Sequence, residues 1–266
     1  VSQPLFTLEN KIALVTGAAS GIGRGTAQLL HALGATLVLT DIDDTGLAQT
    51  VAALGGDILA LHHDVSSEDD WANVFAAVAE KHGRIDILVN NAGIMIARPF
   101  AEAGIELLRK QQRINVDSVY LGMQGALPLM RVALAQGAGT TSIINVSSIY
   151  GKVGGAEYAA YSATKGAVRA LSKAVATELA STGIRVNTVM PGPVATKLGA
   201  DWEPPRDADG NLIPPEEALA AWSKLIPMGR LGTTDDIAPL IAFLASDAAA
   251  FITGSEFIAD GGYTAA

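Results

Sequence analysis

The chain has 266 residues, 49% of them hydrophobic and 17% charged, with a formal net charge of -9. That length suits a single domain, residues 1–266, with a sizeable core, and the acidic balance without any basic run argues against a nucleic-acid or anionic-membrane partner. The absence of cysteine excludes disulfides and thiolate metal sites and fits a reducing cytoplasm; VSQPLFTLENK lacks the order of a signal peptide, and no apolar run reaches the ~18 residues of a membrane span.

Residues 11–16, KIALVT, are a short apolar run bounded by a glycine-rich turn, the pattern of a buried parallel strand. The turn, TGAASGIGRG, sets Gly17, Ser20, Gly21, Ile22 and Gly23 before a helical pattern through Ala27, Leu29, Leu30 and Leu33. Glycines let the backbone approach a pyrophosphate closely, and the helix N-terminus supplies positive potential. The spacing is G-x-x-x-G-x-G rather than the common G-x-G-x-x-G. A second run, 35–40, ends at Asp41 and Ile42, where a carboxylate accepts hydrogen bonds from an adenosine ribose. Asp41 therefore points to NAD: each unit charge pair it formed with a 2′-phosphate would cost roughly 4 kcal/mol at ~4 Å and an effective dielectric of ~20. Arg24, the only base in the turn, is expected to face solvent or another subunit.

A helix is predicted over 44–54 and a strand over 58–62. Asp64 and Val65 follow that strand end, the carboxylate placed for an adenine amino group and the valine for the ring face. Ser66 or Ser67 caps a helix with Trp71, Val74, Phe75 and Val78 on one face, closed by His82 and Gly83. A fourth strand, 85–89, ends in NNAG, where Asn91, Ala92 and Gly93 let a flat ring lie close and an Asn side chain can pin neighbouring backbone. The next helix contains RINVDSVYLGMQGALPLMRVAL. Asn115 is a polar residue in it, and a buried amide must be satisfied, in the plainest case by a kinked backbone.

A fifth strand, 142–146, delivers Ser147 and Ser148, and YSATK opens a helix in which Ala163, Ala167 and Ala170 favour helical backbone. Tyr161 and Lys165, four apart, share one face. A phenol with an unperturbed pKa of about 10 needs a nearby cation to exchange protons near neutrality, and Lys165 is placed to be that cation. Ser148 is preferred to Ser147 on spacing, and KVGGAEYAA, with Val153, Gly154 and Tyr158, is expected to be pocket wall. A sixth strand, 184–189, ends in MPGPVAT, where Pro191, Gly192 and Val194 form a turn and Thr196 offers a hydroxyl. From 197 to 226 the rhythm fails. Its proline pairs and tryptophans predict a substrate lid carrying Leu198, Trp202, Leu212, Ile213 and Trp222. A capped helix over 233–244 and a seventh strand follow. The histidines lack metal-ligand spacing, so no metal is assigned.

Repeated βα units with a glycine turn after the first strand predict an α/β fold: a Rossmann-like, doubly wound, seven-stranded parallel sheet with helices on both faces and ligands at the strands' carboxyl ends. Gly17, Asp41, Asn90, Ser148, Tyr161 and Pro191 all follow strand ends. TGAASGIG, Asp64-Val65, NNAG, Asn115, Ser148, YSATK, PGPVAT and the GSEFIADGGYTAA tail resemble the short-chain dehydrogenase/reductase family over essentially the whole chain. The resemblance implies a catalytic tetrad of Asn115, Ser148, Tyr161 and Lys165. Tyr161 would be the general acid/base and Ser148 would hydrogen-bond the substrate oxygen. Lys165 would hold the nicotinamide ribose and depress the Tyr161 pKa, and Asn115 would anchor a proton-relaying water. Bringing the phenol from about 10 to about 7 requires roughly 4 kcal/mol of differential stabilisation.

INVSSIYG, SATKGAVRALSK, PMGRLG and DGGYTA look most like the secondary-alcohol and hydroxysteroid dehydrogenases of that family. That implies an NAD-dependent oxidoreductase interconverting a secondary alcohol and a ketone. An apolar pocket including Met95 suits cyclic, aryl or steroid-like substrates. A homotetramer or homodimer is implied, with the helices of Asn115 and Tyr161 between subunits. Some such relatives complete a magnesium site with their C-terminal residue, for which Ala266 has no side-chain oxygen. Two alternatives stand beside this reading. One is an NADPH-dependent ketone or 3-oxoacyl reductase, disfavoured by Asp41. The other is an inactive dinucleotide sensor, whose usual mark would be loss of Tyr161 or Lys165.

Overall fold

The computed structural model describes residues 6–196, 198 and 211–265. Trp202 and Ala266, and with them the lid contact and the C-terminal metal position, lie outside the described residues. The strands are β1 (Ile12–Thr16), β2 (Thr36–Asp41), β3 (Leu59–His62), β4 (Ile87–Asn90), β5 (Thr141–Val146), β6 (Ile184–Pro191) and β7 (Glu256–Ala259). All pair in parallel in the order β3-β2-β1-β4-β5-β6-β7. Residues within a strand alternate between two cores, as the pleat requires. Ala13, Val15, Leu37, Leu39, Ile87 and Val89 face one cluster with α1 (Gly21–Ala32) and α8 (Thr234–Ala245). Leu14, Val38, Leu88 and Ile143 face the other with α3 (Glu68–His82), α5 (Ser118–Ala135) and α6 (Ala159–Leu179). Burial on both faces explains why the central strands β1, β2 and β4 read as nearly continuous apolar runs.

Helix ends follow local chemistry. Asp43 caps α2 (Asp44–Leu54) by accepting from the Gly46 amide. Ser67 caps α3, and Gly83 ends it in the left-handed region at φ 73°. Thr233 and Asp236 form a reciprocal capping box on α8.

Two departures bear on function. The helix expected around RINVD is two helices, α4 (Ile105–Gln112) and α5, joined by a π-helical turn at Arg113–Asp117. The turn holds Asn115, whose amide bonds backbone outside the helix. Within the irregular stretch, α7 (Pro215–Lys224) is a regular helix begun by Pro215 with Glu216 and Glu217 in its first turn. Proline at the first helical position and early acids are start signals, hidden among the neighbouring prolines. Strand order reverses direction between β1 and β4, which opens a crevice at the carboxyl ends of these strands.

Candidate active site

Tyr161 lies in the first turn of α6 and Lys165 one turn on, and both are buried. Ser148 ends the β5 connection and begins a short 3₁₀ turn, Ile149–Gly151. Its hydroxyl is hydrogen-bonded to that of Tyr161 and accepts the Tyr150 amide at 3.2 Å. Ser147 is engaged elsewhere, donating to the Lys165 carbonyl at 2.8 Å, so Ser148 is the serine that faces the phenol. Lys165 Nζ donates to the Val146 carbonyl at 2.9 Å and sits over the Tyr161 ring, 5.7 Å from its centroid. Asn115 is fully buried: its Oδ1 accepts the Ile94 amide at 2.9 Å, and Nδ2 donates to the Ile94 carbonyl at 2.9 Å and to Thr164 Oγ1 at 3.1 Å. Both Asn115 donors are therefore taken, and the side chain ties the loop after β4 to α6.

Burial acts oppositely on the two central groups. It pushes the Tyr161 phenol up to about 12, opposed in part by the Ser148 hydrogen bond, and it pulls the Lys165 ammonium down to about 8. The expected depression of Tyr161 by Lys165 is thus not supplied by the protein's own groups, because the ammonium is directed to the Val146 carbonyl and desolvation outweighs it.

A cleft of about 840 Å³ connects these residues to the glycine turn. Of the residues singled out in the sequence, Ser20, Gly21, Ile22, Asn91, Gly93, Ser148, Tyr158, Tyr161, Lys165, Pro191, Gly192, Val194, Thr196 and Leu198 line it, as do Met95 and Trp222. Gly17, Gly23 and Ala92 lie behind the lining: a Cβ on Gly23 would come within 2.0 Å of the Gly17 carbonyl, so only glycine allows the turn to close on α1. Asn91 pins that turn, donating to the carbonyls of Thr16 at 2.9 Å and Gly17 at 3.2 Å. Asp41 and Ile42 stand at the end of β2, and Asp64 and Val65 follow β3, outside this cleft. Val65 is packed into the core, so it has little side-chain surface left for a ring. Val153, Gly154, Leu212 and Ile213 do not line the cleft. Tyr150, two residues past Ser148, does, and it was missed because the 3₁₀ turn that aims it carries no sequence signature.

The chain is similar to known proteins over nearly its whole length. Residues 17–264 match a family model described as enoyl-(acyl carrier protein) reductase. The chain is 38% identical over 260 residues to a 2,5-dichloro-2,5-cyclohexadiene-1,4-diol dehydrogenase of Sphingobium indicum, covering 97% of each. It is 38% identical over 262 residues to an NADP-dependent (R)-specific alcohol dehydrogenase of Lentilactobacillus kefiri, covering 97% of this chain and 98% of that one. A short-chain type dehydrogenase/reductase from Mycobacterium marinum has a similar structure, with a TM-score of 0.87 at 32% identity over 98% of both chains. The chain belongs to the short-chain dehydrogenase/reductase family. That family uses nicotinamide dinucleotides, and the related chains are oxidoreductases.

The residues of this family member fit a dinucleotide. The N-cap of α1, Ser20, makes no side-chain capping bond, and the first turn has no acidic residue, so the helix start presents its amides to the cleft beside Gly21 and Ile22. Asp41 accepts the Ala19 amide at 2.8 Å on one carboxylate oxygen and the Asp43 amide at 3.0 Å on the other, which fixes it with lone pairs to spare. Arg24 does not reach out to solvent or another subunit as expected. It folds back, Nε donating to Thr50 Oγ1 at 2.9 Å and Nη2 to the carbonyls of Ala19 and Gly46. The carbonyls left at the end of the turn attract it, so it braces the glycine loop against α2.

Proposed function

We propose that the chain is an NAD-dependent oxidoreductase that interconverts a secondary alcohol and a ketone, with Tyr161 as general acid/base. The observation that carries this reading is the convergence of Ser148, Tyr161 and Lys165 on one cleft that begins at the bare helix start of α1. The bound dinucleotide would supply the hydride acceptor and a positive ring charge close to the phenol. Ser148 holds the substrate oxygen by hydrogen bonding, and Tyr161 removes the hydroxyl proton as hydride leaves the carbinol carbon, or returns it in ketone reduction. Lys165 would hold the ribose, and Asn115 keeps Ile94 and α6 in register. Ser20, Gly21 and Ile22 would cradle the pyrophosphate, and Asp41 the adenosine ribose.

NAD is favoured over NADP because Asp41 is held at the end of β2 by the Ala19 and Asp43 amides, where it would meet a 2′-phosphate with its charge, and two of the three Arg24 nitrogens are engaged by the protein. The mainly apolar wall, with Met95, Ile149, Tyr158 and Trp222, supports a cyclic, aryl or steroid-like substrate. Leu198 and Trp222 on the cleft support residues 197–226 as a lid over one catalytic domain. The face shared by Val116, Tyr120, Leu121 and Leu171, with Tyr120 half exposed, supports packing of α5 and α6 against a second copy.

The mechanism is tested by Tyr161→Phe. We expect NADH binding, followed by fluorescence, to stay within about twofold of the unmodified protein, while alcohol oxidation falls by about a thousandfold. Turnover close to that of the unmodified chain would remove Tyr161 from the reaction.

A further inference from the structure

We infer that Tyr150 determines substrate selectivity: with Tyr158 it forms a flat aromatic wall, latched from the C-terminal tail by Tyr263, that favours a ring-bearing secondary alcohol over an open-chain one. This deepens, and rests on, the proposed alcohol oxidation at Tyr161.

Three rings run from the 3₁₀ turn to the reactive phenol. Tyr150 stacks on Tyr158 with centroids 4.9 Å apart and planes inclined by 27°. Tyr158 in turn meets Tyr161 edge to face at 6.5 Å and 66°. All three line the cleft. The backbone amide of Tyr150 donates to Ser148 Oγ, so the wall is tied to the hydroxyl that would hold the substrate oxygen. The stack has room because residue 155 lacks a side chain: a Cβ on Gly155 would lie 2.8 Å from two atoms of the Tyr150 ring and 3.1 Å from the Tyr158 ring.

The far end of the wall is held by a separate part of the chain. The Tyr150 hydroxyl faces that of Tyr263, and burial raises its pKa well above that of a free phenol, so it stays neutral and is not a second acid/base. Tyr263 is itself presented by a tight tail turn. The Asp260 carboxylate accepts the amides of Gly262 at 2.9 Å and Thr264 at 2.8 Å and the Thr264 hydroxyl at 2.7 Å, and the Tyr263 amide donates to the Asp260 carbonyl at 3.2 Å.

Such a wall rewards a substrate substituent that is flat and apolar. Aromatic contacts contribute most when ring lies on or against ring. Among the described lining residues the only charged side chains are Arg24 and Lys165, and both donate to backbone carbonyls, so the described lining offers no carboxylate to the extra hydroxyls of an open-chain polyol.

The test compares kcat/KM for cyclohexanol and 2-butanol with NAD. In Tyr150→Ala we expect the ratio of the two to fall roughly five- to tenfold, mainly through cyclohexanol KM, with NADH affinity unchanged. Gly155→Ala, which keeps every ring but displaces the stack, should move the ratio in the same direction, and Tyr263→Phe, which removes only the latch, should do so by about twofold. An unchanged ratio in both Tyr150→Ala and Gly155→Ala overturns the inference while leaving the chemistry at Tyr161 intact. If the unmodified protein oxidises neither alcohol, nor any other ring-bearing one, the reading of Tyr161 fails and this inference fails with it.

Discussion

Lys165 is the residue at which function and stability oppose each other most plainly. Its ammonium is buried with one carbonyl partner, and desolvation lowers its pKa from 10.5 to about 8. Between those values the unfolded chain binds a proton that the native chain has released, so this group makes stability rise with pH across about 8 to 10.5. Below pH 8 the full penalty of about 3 kcal/mol applies. Lys165→Met removes that penalty but also the donor to the Val146 carbonyl, at a cost of about 1 kcal/mol. The variant should therefore be inactive yet more stable than the parent by about 2 kcal/mol at pH 7, with the advantage gone by about pH 10. Urea midpoints at the two pH values measure this. Tyr161 has the reverse sign: its pKa is raised to about 12, so it withdraws stability only above about pH 10, outside the comparison. A destabilised Lys165→Met at pH 7 would mean that the lysine is held in a more polar setting than its burial indicates.

At the scale of elements, α6 does more than carry Tyr161 and Lys165 at a spacing of four. One further turn along, Arg169 spans two elements: Nη1 donates to the Gly151 carbonyl of the 3₁₀ turn, while Nε and Nη2 pair with the two Glu256 oxygens on β7 at 2.9 and 3.0 Å. Lys173 joins the same carboxylate at 3.0 Å, and these cations hold the Glu256 pKa below the ordinary range. Gly151 rests directly on α6, since a Cβ there would meet the Lys165 carbonyl group at 2.7 Å. The depth at which Ser148 meets Tyr161 is thus set by a helix, a turn and a strand together. Arg169→Lys keeps the charge but loses the planar fork that serves both partners. It should lower kcat about tenfold with little change in NADH affinity. It should also shift the kcat–pH profile for alcohol oxidation to higher pH, because a looser Ser148 hydrogen bond no longer lowers the Tyr161 pKa. A fall in kcat without a shift in the profile would make Arg169 merely structural.

Across the whole molecule, what could be read in advance follows from what is local. KIALVT reads as a strand because burial on both faces leaves Ile12 to Val15 without a polar interruption, SIINV reads as one despite Ser142 and Asn145, which find hydrogen-bond partners inside the core, and the strand-end positions of Ser148 and Asp41 follow from those runs. The π turn, the fold-back of Arg24, the Arg169 bridge to Glu256 and the Tyr150 contact with Tyr263 were not legible, since each joins segments whose proximity only the folded sheet creates. Asp41 shows both sides of this. Its place at the end of β2 was readable, but its two backbone bonds, one to the glycine turn, were not, and they hold the carboxylate in that place. A dinucleotide reaching from that turn to the loop after β6 would link both halves of the sheet, and its binding free energy adds to global stability by mass action. At a hundredfold excess over Kd the gain is about 2.7 kcal/mol, which for a chain of this length is a rise of roughly 5 to 10 °C in Tm. NADH should produce that rise, and NADPH at the same concentration a clearly smaller one. In Asp41→Ala the gap between the two should narrow as the repelling carboxylate is removed. A Tm rise with NADPH that equals or exceeds the rise with NADH in the unmodified protein would show that Asp41 does not face the ribose.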